Sequence, residues 1–514
     1  MKIEFQLISS LPRLAWCACL PKNEGVVRVL HGPWVETRDD CFFEGAWDGS
    51  FNAYRFDEAS MMAGSGGRIV DGSILFVSPG HMGDRLFSLS KDSELYVSNS
   101  FVFLLTQVEE ELDIKYPNYF LDFLNYYQSG LRITEKRIPI QGRRHVYLHD
   151  CCNMLVKSDL TVSRIEKNPS EPPLDFSDYD AFLGRTVNKI SENAIHPARN
   201  QIYRPVTTIS QGYDSTAASV LASRAGCREA VTFRQSLSDD GNYVDDGGTT
   251  IAGYLGLQTT EYDRVDFNKL PGMPTAEFFM NPYTMTEELA IMEDQLVGAL
   301  LVTGIFGDCV WGMVKQSGLP LLQDPNLNYL SFGMTMAEFR FRVGFLHLPA
   351  AGCGACQRPS IYRITGSPEM RPWSVGGEYD RPIPRRLLEE TGVPGELFGH
   401  RKMKGKPLFQ SDFNLYSAEG ERDFQEFYQA KVSRNARRRQ PASGRRGIQK
   451  GIVNRLRPLG KLLGPSAHQK IRFFIGDRLD PRWGSKDLYR FHWGVERTRE
   501  RYQSALGQSG ANSR

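Results

Sequence analysis

Over the first 165 residues apolar and polar positions alternate in short runs, as in Arg28-Val29-Leu30 and Leu95-Tyr96-Val97-Ser98, with frequent Gly and Asp between them. Side chains two apart share one face of a strand, so this zone predicts antiparallel sheet with one face buried. From about residue 178 the period changes. Unbroken apolar or β-branched runs at 206–209, 230–233, 259–262 and 299–303 predict strands buried on both faces. Helical spacing falls between and beside them, near 178–194, 215–224, 245–255 and 286–297. Strands alternating with helices predict a parallel sheet covered by helices, with ligands at the carboxyl ends of the strands, where Ser210 and Gly304 fall. A polar, proline-bearing link, Asn168-Pro169-Ser170-Glu171-Pro172-Pro173, separates the two zones. A third zone opens near 431, where thirteen Lys or Arg residues and no acid occur before residue 473.

The first strand of the second zone runs into Ser210-Gln211-Gly212-Tyr213-Asp214-Ser215 and then into a helical pattern. A strand–turn–helix junction presents backbone N–H groups at a helix N-terminus, here beside the Ser210 and Ser215 hydroxyls, which suits a phosphate. Gly212 allows close backbone approach. Asp214 would repel a phosphate, so it either holds a divalent cation that bridges the phosphates or caps the helix of an ordinary turn. The loop lacks the Lys and the four-residue gap of a Walker loop, which argues against a kinase or GTPase. A second apolar strand, Leu301-Val302-Thr303, ends in Gly304-Ile305-Phe306-Gly307-Asp308. It delivers another carboxylate, which either completes a cation site with Asp214 or caps a tight turn. A third segment, His400-Arg401-Lys402-Met403-Lys404-Gly405-Lys406, is cationic. It could neutralise a leaving pyrophosphate or stand as a solvated basic loop.

Composition narrows the class. The chain has 514 residues, 41% hydrophobic and 24% charged, enough for two or three domains. A net charge of +2 gives no bulk electrostatic case for nucleic acid or membrane. No apolar run reaches the ~18–20 residues of a membrane span. The N-terminus does not read as a secretory signal, and the nine cysteines are irregularly spaced. A reduced, cytoplasmic protein is expected. Cys353-Gly354-Ala355-Cys356 lacks the second pair of a zinc site. His145 and His149, four apart in a strand, stand ~13 Å from each other, too far to share a metal. The pairs Asp239-Asp240 and Asp245-Asp246 read as a solvated acidic loop, with cation binding as the other reading.

The three segments, in this order and roughly 90 residues apart, resemble the synthetase domain of the asparagine synthase family. Its S-G-G-x-D-S, S-G-E-G-x-D-E-x-F-G-G and R-x-K-x-G-F patterns are matched in part here. The second survives as Thr303-Gly304, Asp308 and Trp311-Gly312. The third survives as Arg401-Lys402, preceded by Arg381-Pro382-Ile383-Pro384-Arg385-Arg386-Leu387-Leu388, which is similar to a family helix. The resemblance implies an α/β parallel-sheet ATP pyrophosphatase domain over 175–430, using ATP and Mg²⁺. Asp214 and Asp308 would hold the Mg²⁺, while Ser210, Gln211, Gly212, Tyr213, Asp214 and Ser215 would surround the pyrophosphate. Phe233, Thr303 and Gly304 would line the adenine and ribose side. Lys402 or Lys404 would stabilise the transition state, with Asp308 beside it.

The first zone also resembles this family. Trp47-Asp48-Gly49-Ser50-Phe51 through Asp57, Gly83-Asp84-Arg85-Leu86-Phe87 and Leu95-Tyr96-Val97-Ser98-Asn99-Ser100 are similar to segments of its class II glutaminase domain. That implies an α+β N-terminal nucleophile hydrolase-like sandwich over 1–165. Such a glutaminase needs an N-terminal cysteine, whereas Met1 is followed by Lys2 and the first cysteines are Cys17 and Cys19. Ile305 replaces the family's glutamate, so aspartate amidation is not expected either. The pattern is closest to members lacking the cysteine, such as lasso peptide cyclases and β-lactam synthetases. The expectation is an AMP-forming ligase that joins a carboxylate, on a small molecule or peptide, to an amine. Amidation with free or partner-supplied ammonia is a second reading, and a nucleotide-binding scaffold without turnover a third, given Gln211, Ile305 and Cys309. The 431–514 extension is read as a solvated tail, or as a docking element for a precursor peptide, partner protein or anionic surface through Ile448, Ile452, Val453, Leu456, Leu459, Leu462 and Leu463.

Overall fold

The computed structural model describes residues 1–81, 83–120, 122, 123, 126, 135–167, 171–237, 242–278, 287–312, 336–377, 379–400, 417–432 and 486–512. Strands β1 (Lys2–Leu7), β2 (Trp16–Pro21), β3 (Val26–His31), β4 (Glu36–Arg38), β5 (Cys41–Trp47), β6 (Met62–Val70), β7 (Ser73–Val77), β8 (Leu86–Lys91) and β9 (Glu94–Ser98) come first. Helix α1 (Phe101–Gln107) follows, then β10 (Lys136–Pro139), β11 (His145–His149), β12 (Cys152–Val156) and β13 (Val162–Glu166). They form two sheets, ordered β1-β3-β2-β9-β8-β11-β10 and β13-β12-β7-β6-β5-β4. The inward residues of both sheets share one core. Trp16 of the first meets Phe42 edge-on at 4.9 Å and stacks on Phe76 at 6.0 Å in the second. The alternating pattern therefore does what it predicts, with one exception. β1 pairs with β3 in parallel, Lys2 opposite Val26 and Leu7 opposite His31. Periodicity fixes which face a residue takes but not the direction of its neighbour.

In the second zone, α2 (Phe176–Ala194) starts at an Asp175 N-cap that accepts from Asp178 N at 2.8 Å. It buries Tyr179, Leu183, Val187, Ile190 and Ala194, one stripe at helical spacing. β14 (Arg204–Thr208), α3 (Tyr213–Arg224), β15 (Glu229–Phe233), β16 (Gln235–Leu237), β17 (Tyr243–Asp245), α4 (Thr249–Tyr254), β18 (Gln258–Tyr262) and β19 (Ala299–Thr303) follow. Then come α5 (Ala337–Val343), β20 (Leu346–Pro349), α6 (Arg358–Thr365), α7 (Pro382–Glu389), α8 (Ala418–Lys431) and α9 (Arg490–Asn512). The main sheet runs β18-β15-β14-β19-β20, every pair parallel. Each of the four expected strands lies within it. The expected helix over 245–255 is shorter, because Tyr243–Asp245 pairs as a strand with Gln235–Leu237. The expected helix over 286–297 is, in its described part, a 3₁₀ turn at Glu287–Met292 and a helical turn at Glu293–Leu296.

The third zone does not stand apart as an extension. Helix α9 buries Phe491, Val495, Tyr502 and Ala505 in the same core as α1 of the first zone, and Tyr502 stacks on Phe103 at 4.9 Å. The link residues 168–170, Asp239, Asp240 and the basic stretch from 433 to 472, with all its proposed docking residues, lie outside the described residues. Among the described residues no helix is long and apolar enough to cross a membrane.

Three buried polar links join the sheets of the first zone to the second. Arg199 donates to Glu36 Oε1 at 3.0 Å and to the Gly45 carbonyl at 2.8 Å. Arg340 of α5 donates to Glu44 at 2.7 Å and pairs with Asp84 at 2.9 Å. Burial works against the Arg340 charge, and Asp84 and Glu44 more than offset it. Glu338 of α5 accepts from Ser100 Oγ at 2.6 Å and from the Tyr502 hydroxyl at 2.8 Å. Burial pushes the Glu338 carboxyl up to about 7, despite those two donors. Because its folded value lies above the ordinary 4.5, the native state holds the proton more tightly than the unfolded chain. Its contribution is fully present below about pH 4.5 and is lost as pH rises through about 7. Thermal melts across that window should show wild-type stability declining relative to Glu338→Gln. Parallel pH profiles would contradict the assignment.

Candidate functional site

Strand order places the site. β15 and β18 lie on one side of β14, and β19 and β20 on the other, so the chain reverses its winding between β14 and β19. In open parallel sheets the carboxyl ends of two such strands are where a ligand crevice is expected. Ser210-Gln211-Gly212 leaves β14 and Gly304 leaves β19, so both glycine-bearing turns border that crevice.

The turns meet at the backbone. A Cβ on Gly304 would lie 2.2 Å from the Asp214 carbonyl carbon and 2.4 Å from Ser215 N. A Cβ on Gly307 would lie 2.5 Å from Asp214 Oδ1. Only glycine lets the β19 turn settle on the first turn of α3. Phe306 between them takes φ +76°, costly for a residue with a side chain, and buries its ring there. The turn ends in the helical segment Gly307–Val310, which carries Asp308. Two carboxylates from neighbouring strand ends are thus brought to one place.

Arg381 lies between them. Its Nη2 donates to Asp308 Oδ1 at 2.7 Å, and its Nε is 3.9 Å from Asp214 Oδ1. Pro382 starts α7 just after it, at the first helical position where proline's missing N–H costs nothing. The guanidinium side chain is only 6% exposed, against 20% for Asp214 and 50% for Asp308. Burial works against the Arg381 charge, but the two carboxylates outweigh it and hold the residue protonated.

The loop from Ser210 to Ser215 is internally bonded. Ser210 Oγ accepts from Gly212 N at 3.0 Å and lies 2.7 Å from Ser215 Oγ. Gln211 N donates to the Asp246 carbonyl at 3.2 Å, and its side-chain amide donates to Asp245 at 2.6 Å. Asp246 is buried, accepts from Ser236 Oγ at 2.6 Å, and has its carboxyl raised by burial. So Asp246 is buried support for the loop rather than a solvated acid, while Asp245 stays exposed and holds the Gln211 side chain. Tyr213 N faces the Tyr379 hydroxyl at 3.4 Å.

Several expected site residues take other roles. Tyr213 is fully buried and accepts from Arg385 Nη2 at 2.9 Å, so it offers the loop its backbone alone. Thr303 is buried against His347, Oγ1 to Nε2 at 2.8 Å. Gly304 seats the turn against Asp214. Phe233 does end β15 at the crevice, where the Arg264 guanidinium covers its ring at 4.3 Å. Lys402 and Lys404 lie outside the described residues. In the first zone, Cys17 is buried inside β2 with its thiol pushed up by burial, and Cys19 is pushed up to about 11. Neither suits a nucleophile. His145 and His149 share β11, and His149 Nε2 is 2.8 Å from Ser88 Oγ.

Sequence reasoning missed Tyr379 and the roles of Asp246 and Arg381. The signal for Arg381 was local: an arginine held immediately before Pro382-Ile383-Pro384, at a helix start where an exposed basic residue gains nothing from the dipole.

Magnesium requires oxygen donors in a compact arrangement, and commonly takes one or two protein carboxylates with substrate phosphates. Asp214 and Asp308, which flank the Arg381 guanidinium from two strand ends, are oxygen donors of the kind that requirement takes. Among the described residues no cluster of three or more His, Cys, Asp or Glu side chains is placed to hold a metal without such a partner. No family model and no curated protein matches this chain.

Proposed function

We propose that this protein is an ATP-dependent, AMP-forming ligase that activates a carboxylate and joins it to an amine. The observation that supports this best is the convergence of Asp214 and Asp308 at the switch point of a parallel sheet, beside a glycine-bearing helix N-terminus. Asp214 and Asp308 would hold Mg²⁺ in the ligase, and the cation would supply charge neutralisation across the phosphates. The Ser210 and Ser215 hydroxyls, 2.7 Å apart, stand at the first turn of α3, whose positive end would draw a phosphate. Ile305 sits in the β19 turn, partly buried against the core. An apolar side chain there neither takes a proton from an amine nor attracts a free ammonium ion, which favours an amine carried by the substrate over free ammonia. The closed set of hydrogen bonds around Gln211 favours a second reading, a scaffold that binds nucleotide without turnover.

ATP–pyrophosphate exchange with Mg²⁺ separates the two. The purified protein is assayed against pooled amino acids, sugar acids and candidate peptides. Exchange that depends on one carboxylate is the expected result. Nucleotide binding without exchange in any pool would assign the scaffold role. No nucleotide binding at all would remove both.

A further inference from the structure

A second cleft, of about 490 Å³, lies away from the crevice. Its walls come from residues 270–277, from residues 290–294 ahead of β19, from Arg342 in the last turn of α5, and from α9. The 290–294 segment and α5 lead into the amino ends of β19 and β20, whereas Ser210 and Gly304 follow carboxyl ends. The length of the strands, at ~3.3 Å per residue, separates the two places. Leu270, Met273, Ala276, Ala290 and Ile291 give the cleft an apolar wall. Its charged lining is unevenly matched. Arg342 donates through Nε to Glu277 Oε1 at 2.7 Å and through its terminal nitrogens to Glu293 at 2.5 and 2.7 Å. Those bonds hold the Glu293 carboxyl below its usual range, although burial works the other way. Arg501 of α9 donates to the same Glu277 Oε1. Arg497 is committed to Asp423, which does not line the cleft, at 2.6 and 3.0 Å. Glu277, Glu293 and Asp294 are thus left with the guanidiniums of Arg342 and Arg501, and the lining is one positive charge short. Both donors to Glu277 end on Oε1. Its other oxygen, Oε2, is buried without a hydrogen-bond partner, on a side chain 3% exposed. A buried carboxylate oxygen that accepts nothing is costly to keep.

We propose that this cleft binds a small primary amine with an apolar body: the ammonium donates to Glu277 Oε2 and the hydrocarbon lies against the wall around Ile291. An ammonium suits the place better than a guanidinium, because one unpaired oxygen offers a single point and a planar fork needs two. Asp294, exposed at the rim, adds attraction of the same sign. An anion gains less, since Arg342 and Arg497 already give their forks to carboxylates. Such a ligand touches α9, α5 and the approach to β19 together, so it ties the end of the chain to the sheet and takes no part in chemistry at the crevice. The inference does not depend on the ligase reading.

Saturation-transfer NMR of the full-length protein with 2-phenylethylamine tests this. The amine should bind about tenfold or more tightly than 2-phenylethanol, which has the same body without the charge. It should also raise the melting temperature in step with its concentration. Glu277→Gln, which keeps the shape and removes the charge, should weaken the amine about tenfold and leave the alcohol unchanged. Ile291→Lys places an ammonium of the chain's own in the wall and should abolish amine binding, while Ile291→Met, similar in volume, should keep it. Equal affinities for amine and alcohol would overturn the proposal, as would no amine binding at millimolar concentration. So would amine binding that persists unchanged in Ile291→Lys, which decides the matter if Glu277→Gln does not fold. Amine binding as expected in a protein without ATP–pyrophosphate exchange would remove the ligase reading and leave this site standing.

Discussion

Asp308→Asn should lower carboxylate-dependent ATP–pyrophosphate exchange by about a hundred- to a thousandfold, the scale on which removal of one aimed electrostatic group acts in other enzymes. The substitution keeps the side-chain volume and an oxygen acceptor for Arg381 Nη2, at present 2.7 Å away, and removes only the charge. Folding should hardly notice. The Asp308 side chain is half exposed, and ion pairs of that kind contribute roughly 0–1 kcal/mol. The outcome expected is therefore a split, with exchange nearly gone and the melting temperature close to wild type. Asp214→Asn should give the same loss of exchange with a larger effect on stability, because Asp214 is the less exposed of the two and sits under Gly304 and Gly307. Exchange at the wild-type rate in either variant would sink the assignment of the acidic pair to catalysis.

Glu44→Ala is expected to do the reverse, damaging the fold far from the crevice. Glu44 Oε1 accepts from Ser65 Oγ at 2.8 Å, and Trp16 Nε1 donates to the same Ser65 hydroxyl at 3.2 Å. Asn99, whose amide oxygen accepts from Trp16 N at 3.0 Å, also reaches Glu44. Across the seam, Arg340 donates to Glu44 Oε2. Alanine removes the acceptor shared by these donors and leaves the buried guanidinium with Asp84 alone. Breaking one partner out of a buried pair costs about 3–5 kcal/mol, because the remaining charge stays desolvated. At ~2–4 °C per kcal/mol for domains of this size, the melting temperature should fall by about 6–20 °C. Glu44→Gln, which keeps the hydrogen-bonding shape, should lose less. Calorimetry of the three proteins checks the order; an unchanged melting temperature in Glu44→Ala would show the seam to be dispensable.

The strands of both zones were legible because burial on one face or two leaves period-two or unbroken apolar runs. The direction of β1 was not, since Lys2–Leu7 reads alike beside a parallel or an antiparallel neighbour. β20 was missed for a related reason: Leu346-His347-Leu348-Pro349 is short, and its histidine is buried by a partner, Thr303, that lies 44 residues away. Asp214 and Asp308 could be singled out because each stands in a turn that glycine marks. Arg381 carried only the local hint of its place before Pro382-Ile383-Pro384; among 62 Lys and Arg residues its role is set by the two carboxylates that the fold brings to it. Helix α9 did carry a signal, Phe491, Val495, Tyr502 and Ala505 at helical spacing, but it follows a basic stretch that draws attention to charge.

Helix α9 also sets the order in which this molecule can be built. Ser10 Oγ donates to the Ala505 carbonyl across 495 residues of chain, and Tyr502 covers Phe103 from almost as far along it. Contacts of such separation close late, after local structure has formed. During synthesis the strands of the first zone emerge long before their covering helix exists, so the face around Phe103 stays bare until translation has passed Tyr502. A nascent chain with an apolar face waiting that long is a natural client for a chaperone, and a stalled or truncated one is a natural aggregate.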